Sequence, residues 1–133
     1  MQKQSRRKFL AAASLLTLGA TTTAISMNPE KKVLVHHVFF WLKNPGSKDD
    51  RAKLIQGLQT LSRIETVHDL HIGVPADTEV RPVVDSSYSV SELIFFDDLA
   101  GQKTYQDHPV HKKFVEDCSS LWEKVVVYDS LGV

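Results

Sequence analysis

From Val33 to Leu42, apolar and aromatic side chains occupy both parities of the chain. In an extended backbone Leu34, Val38, Phe40 and Leu42 fall on one face, and Val33, Val35, Phe39 and Trp41 on the other. A strand written this way needs cover on both faces, whereas a surface strand alternates apolar with polar. A fold that puts helices on only one side of this strand leaves an oily face bare. That much apolar surface calls for a second layer from elsewhere.

The segments that follow decide how many helices are available. Pro45-Gly46 turns the chain, and Ser47 three residues before Asp50 marks a helix start. Leu54, Ile55, Leu58 and Leu61 make one helical stripe, with Gly57 inside it. A second strand is expected over 66–74, with Leu70, Ile72 and Val74 on one face, and a long loop over 75–87. A third strand is expected over 88–96, with Tyr88, Val90, Glu92, Ile94 and Phe96 sharing a face. Asp97-Asp98 then opens a helix to Asp107, Pro109 interrupts it, and a second helical piece runs to about Trp122. The last strand is expected over 124–129. The order β-α-β-β-α-β implies an α+β fold, a ferredoxin-like antiparallel sheet with both helices on one face. The other face holds Val33, Val35, Phe39 and Trp41. A homodimer is therefore expected, with two sheets closing on each other as a dimeric α/β barrel.

The N-terminal 26 residues read as an address. Ser5-Arg6-Arg7-Lys8-Phe9-Leu10 resembles a twin-arginine export motif, followed by an apolar stretch from Phe9 to Ala20 and small residues to Ser26. Cleavage after Ala24 or Ser26 is expected, with retention as an anchor the alternative. The expected destination is the periplasm or the exterior of a bacterium, by way of the twin-arginine translocase. The folded domain then spans 31–133. Four of the 16 basic residues lie in the first 26 positions, which leaves 12 against 16 acids in the remainder. A mildly acidic domain is a poor partner for nucleic acid. The single cysteine, Cys118, excludes an intramolecular disulfide, so stability must come from the core or from assembly.

The C-terminal half carries Tyr105-Gln106-Asp107-His108-Pro109-Val110-His111, then Phe114 and a final apolar strand ending at Tyr128-Asp129. With His36 in the first strand and Leu42-Lys43 at its end, this resembles the stress-responsive A/B-barrel (Dabb) family over roughly residues 33–130. The resemblance implies a dimeric barrel. Most bacterial members of the family have no assigned activity, and a plant branch closes linear polyketides by aldol condensation without a cofactor. It also implies a pocket between sheet and helices, with His36, Tyr105 and His111 at the corresponding positions. No cofactor is expected.

The residues themselves point the same way. His111 has Phe114, Val115, Cys118 and Trp122 on its own helical stripe, so it should face the sheet, either as a base or as a core or capping histidine. Tyr105 is either an oxyanion donor or a packing aromatic. His36 lies on the strand face of Leu34, Val38, Phe40 and Leu42, as a catalytic group or as a satisfied core histidine. His108, held before a proline, reads as structural. Glu92 stands on an otherwise apolar face. It either pairs with His36 or His111 or is turned to solvent by a bulge. The pocket walls are expected to be Val38, Phe40, Leu54, Ile55, Leu58, Ile94, Phe114 and Trp122, suited to a small apolar or aromatic oxygenated molecule. A metal is not expected. His68 and His71 are three apart on a strand and point to opposite faces, and His108 and His111 straddle a proline. Two functions remain open: acid/base chemistry such as cyclisation or isomerisation, or ligand binding without turnover. A haem-binding barrel is a weaker third reading that no motif supports.

Overall fold

A computed structural model describes residues 32–133. The expected export segment and its cleavage points lie outside them. The elements run β1 (Leu34–Leu42), α1 (Lys48–Gln59), β2 (Asp69–Gly73), β3 (Val90–Phe96), α2 (Leu99–Asp107), α3 (Pro109–Cys118) and β4 (Trp122–Leu131), with short 3-10 turns after α1 and α3. The sheet order is β2-β3-β1-β4, and every pairing is antiparallel. This is the expected ferredoxin-like α+β arrangement, with the helices on one face.

Local chemistry explains the element ends. Ser47 Oγ accepts the Asp50 backbone N–H at 3.1 Å, which satisfies one of the orphan donors at the start of α1. The Asp98 carboxylate does the same for Gly101 at 2.8 Å at the start of α2. At the α2–α3 junction His108 is extended, as a residue before proline must be, and Pro109 takes the first position of α3. His108 Nδ1 accepts the Val110 N–H at 3.1 Å, and its Nε2 lies 3.2 Å from Glu65. One ring nitrogen thus caps α3, and the other ties the α2–α3 junction to the segment before β2.

The core lies between the sheet and the helices. Leu34, Val38, Phe40 and Leu42 of β1 and Val90, Ile94 and Phe96 of β3 meet Leu54, Leu58, Leu61, Tyr105 and Phe114 there. Gly57 is the contact point of α1 with α3. A Cβ at this position would stand 2.5 Å from Cys118 Sγ and 3.0 Å from the Phe114 ring.

Three expectations are corrected. The helix after Pro109 ends at Cys118, and Trp122 begins β4, whose register shifts between Trp41 and Leu42. Tyr88 precedes β3 and packs on Phe39 at 4.9 Å, opposite the face of Val90 and Glu92. The backbone irregularity at Ser89, whose hydroxyl accepts the Leu42 N–H, moves it there. Val74 lies beyond β2 and is half exposed, where Leu70 and Ile72 face the core.

Among the described residues, no helix covers the opposite sheet face. Val35, His37, Phe39 and Trp41 are each half-buried, sheltered only by sideways neighbours. Phe39 lies 4.2 Å from the His37 ring and 6.1 Å from the Tyr128 ring. The Trp41 indole donates to Ser87 Oγ at 3.0 Å, and Lys124 Nζ sits 4.5 Å from its ring centre.

Candidate functional site

The site forms where the end of α2, the start of α3, the middle of β1 and the edge strand β4 meet. Tyr105 and His111 are six residues apart. On an unbroken helix they would point about 120° away from each other. The break at His108-Pro109 re-aims α3, and the two rings come within 4.6 Å. The break is what gives the Tyr-x-x-His-Pro-x-His spacing its use.

Register supplies the sheet side. His36 is opposite Ile94 on β3 and Asp129 on β4, and Val38 is opposite Glu92 and Val127. Paired residues share a face, so all of these point toward the helices. His36 Nδ1 and Asp129 Oδ1 are 2.5 Å apart. With the carboxylate ionised, Nδ1–H donates and the lone pair of Nε2 is left available. The His36 ring lies 5.6 Å from that of Tyr105. Burial, more than the opposing effect of the Gln106 backbone, sets the basicity of His111 and pulls it below the ordinary 6.5. His111 is therefore neutral at pH 7, with one nitrogen free to accept a proton.

Glu92 is the most costly group here. Only 1% of it is exposed, and its carboxylate accepts the Tyr105 hydroxyl at 2.9 Å. Burial drives its pKa up to about 7, against the opposing effect of that hydrogen bond. Burial and the neighbouring Glu92 charge both push the Tyr105 phenol far above its ordinary value, so it stays protonated. The expected pairing of Glu92 with a histidine is replaced by this pairing with tyrosine. Turning to solvent through a bulge does not occur either: β3 is regular across Glu92.

The expected pocket walls are mostly core. Val38, Phe40, Leu54, Leu58, Ile94 and Phe114 are buried, while Ile55 and Trp122 pack at its margin. Phe40, Phe114 and Trp122 form an aromatic cluster with ring separations of 5.1 to 6.3 Å that fills the space assigned to a ligand. The exposed apolar surface on this side lies instead at β4. Val125 and Val127 share the helix-side face with Phe40 and Val38 yet remain exposed, since β4 is held chiefly by β1 and lies at the sheet edge. The Asp129 side chain is 47% exposed there, beside a His36 side chain at 7%.

Asp129 escaped sequence reasoning. The available signal was an acid in phase with Val125 and Val127, on a face otherwise apolar. What the sequence lacked was the register that sets it against His36. No group of three or more His, Cys, Asp or Glu side chains among the described residues is arranged to hold a metal.

The model of the stress responsive A/B barrel domain matches residues 34–131. The chain belongs to the Dabb family. Among solved structures, a Dabb protein with a ferredoxin-like fold from Mesorhizobium loti is 27% identical, with a TM-score of 0.63 over 77% of this chain and 98% of that one. A dimeric ferredoxin-like protein of unknown function from Thermobifida fusca is 17% identical, with a TM-score of 0.62 over 77% and 92%. Hydroxynitrile lyase from Passiflora edulis is 19% identical, with a TM-score of 0.60 over 76% and 94%. The last two show the shared fold alone. No curated protein matches the chain. Proteins of this fold thus include a dimer of unknown function and an enzyme.

Proposed function

We propose that this Dabb protein carries out acid/base chemistry without a cofactor on a small carbonyl compound with an apolar or aromatic body, of the cyclase or isomerase kind. One observation carries the reading. Two imidazoles, His36 with Nδ1 engaged by Asp129 and His111 kept neutral by burial, flank a buried tyrosine at 5.6 and 4.6 Å. His111 takes the proton from the carbon beside the carbonyl. The phenol of Tyr105 faces the oxygen where charge develops. Asp129 holds His36 in one tautomer and orientation, and Val125 and Val127 supply an apolar ledge at the entrance. The lyase likeness is one of fold, and its reaction is not carried over.

The test is hydrogen–deuterium exchange at the methyl group of acetophenone in D2O, followed by NMR. Exchange above buffer, falling by roughly 10²-fold or more in His111→Ala, is expected. Exchange no faster than buffer for the unaltered protein would remove the enzymatic reading. Binding without turnover would take its place, a reading that the filled aromatic cluster at Phe40, Phe114 and Trp122 favours.

We further propose that the working form is an exported homodimer. The uncovered face bearing Val35, Phe39 and Trp41 supports the dimer, as does the dimeric state given for related structures. The Arg6-Arg7 segment supports export to the periplasm or beyond through the twin-arginine translocase.

A further inference from the structure

A phenol has one proton to donate. In the structure Tyr105 gives it to Glu92, at 2.9 Å and away from water. A tyrosine so engaged has only oxygen lone pairs to offer a bound carbonyl, which is the wrong polarity for stabilising negative charge. Glu92 must change its protonation state before Tyr105 can act as a donor. Among the described residues, the surroundings of the pair are mostly apolar. β2 presents Ile72 opposite Glu92, and β1 presents Val38. From α1, which packs on β3, come Leu54 and Leu58. The titratable groups that face the pair are His36 on β1, Asp129 on β4 and His111 on α3. His36 is engaged by Asp129, and burial keeps His111 neutral.

We propose that Glu92 is a positioning residue that acts through Tyr105: as the carboxylic acid it donates to Tyr105 Oη and frees the phenolic proton for a carbonyl or oxyanion bound beside His36 and His111. The inference rests on the acid/base reading and adds to it a proton relay. As charge develops on the substrate oxygen, the Tyr105 proton moves to it and the Glu92 proton moves to Tyr105 Oη. The O–H electron pair stays on Glu92 as carboxylate, which restores the arrangement seen here. When the oxygen returns to a carbonyl, both transfers reverse. Burial, which holds the Glu92 pKa near 7, makes the acid form available at neutral pH.

The test uses the full chain labelled with ¹³C at tyrosine Cζ, the Tyr105 signal being assigned from Tyr105→Phe. The expected result is one titration step of that signal near pH 7, absent in Glu92→Gln, with the Tyr88 and Tyr128 signals unmoved. A Tyr105 signal flat between pH 5.5 and 8.5 in the unaltered protein overturns the proposal. A second measurement reads donation directly, as acetophenone affinity by NMR. Affinity should fall about 2- to 10-fold from pH 6.5 to 8.5, the worth of one hydrogen bond, and should be pH-independent in Glu92→Gln. Equal pH dependence in both proteins also overturns it. Failure of the acid/base reading looks different: acetophenone exchange stays at the buffer rate while the Tyr105 step persists.

Discussion

Glu92 trades stability for a proton held in the interior. Its folded pKa of about 7 against an ordinary 4.5 corresponds to roughly 3 kcal/mol. The folded chain binds this proton more tightly than the unfolded chain. Stability is therefore greatest below about pH 4.5, falls as pH rises through 7, and carries the full penalty above that. Glu92→Gln keeps the shape and an acceptor for Tyr105. It should stabilise the domain by about 1–3 kcal/mol at pH 8.5 and by much less at pH 5, as read from urea unfolding at the two values. Equal effects at both pH values would mean that Glu92 is not the group that titrates. Much of this site is legible in the sequence as a set of residues, and little of it as a set of contacts. Period-two alternation marks Glu92 and His36 as facing inward. It cannot say that Tyr105 lies over Glu92, because that depends on how far α2 runs before proline stops it. Asp129 is hidden for a similar reason, since its partner is fixed by a strand pairing 93 residues distant in sequence.

At the scale of elements, the helices are set by their ends and by one close crossing. Ser47, Asp98 and Pro109 mark helix starts in the sequence because capping is local chemistry. Where α3 stops is not local. Trp122 fits the helical stripe of His111, but its ring stacks on Phe40 from the first residue of β4, and tertiary packing decides. Gly57 costs about 1 kcal/mol of helix propensity relative to alanine and is explained by the α1–α3 contact. Gly57→Ala places a methyl group against Cys118 Sγ and the Phe114 ring. It should destabilise the domain by about 1–3 kcal/mol by chemical unfolding, net of the propensity gain. Adding Cys118→Ala should return part of the loss, because the thiol is the nearer obstacle. A stabilising single substitution would show that the helices can move apart freely.

For the whole molecule, the two-faced β1 is the most informative segment of the sequence, and no helix among the described residues covers one of its faces. The unaltered full chain, expressed in a bacterium, should be recovered in the periplasmic fraction and sediment as a dimer at micromolar concentration. Phe39→Asp should weaken that dimer by roughly thirty-fold or more, as removal of a central aromatic anchor does. Replacing Arg6 and Arg7 with lysine should leave the protein in the cytoplasm with its sedimentation unchanged. A stable lone subunit would contradict the barrel, and export of the double-lysine chain would contradict the twin-arginine route. Fold class is legible at this scale because the order of elements is written along the chain. The surface offered to a second copy is legible only as a surplus of apolar residues with no partner among the described helices.

β4 is bonded to β1 along one side and has no strand partner among the described residues along the other. That outer edge runs past the place where Asp129 steadies His36. Any polypeptide that zipped onto that rim would lie about 4.8 Å from the strand holding the dyad's carboxylate. It would roof the ledge of Val125 and Val127. Whatever paired with this border would therefore also cover the face that bears Asp129.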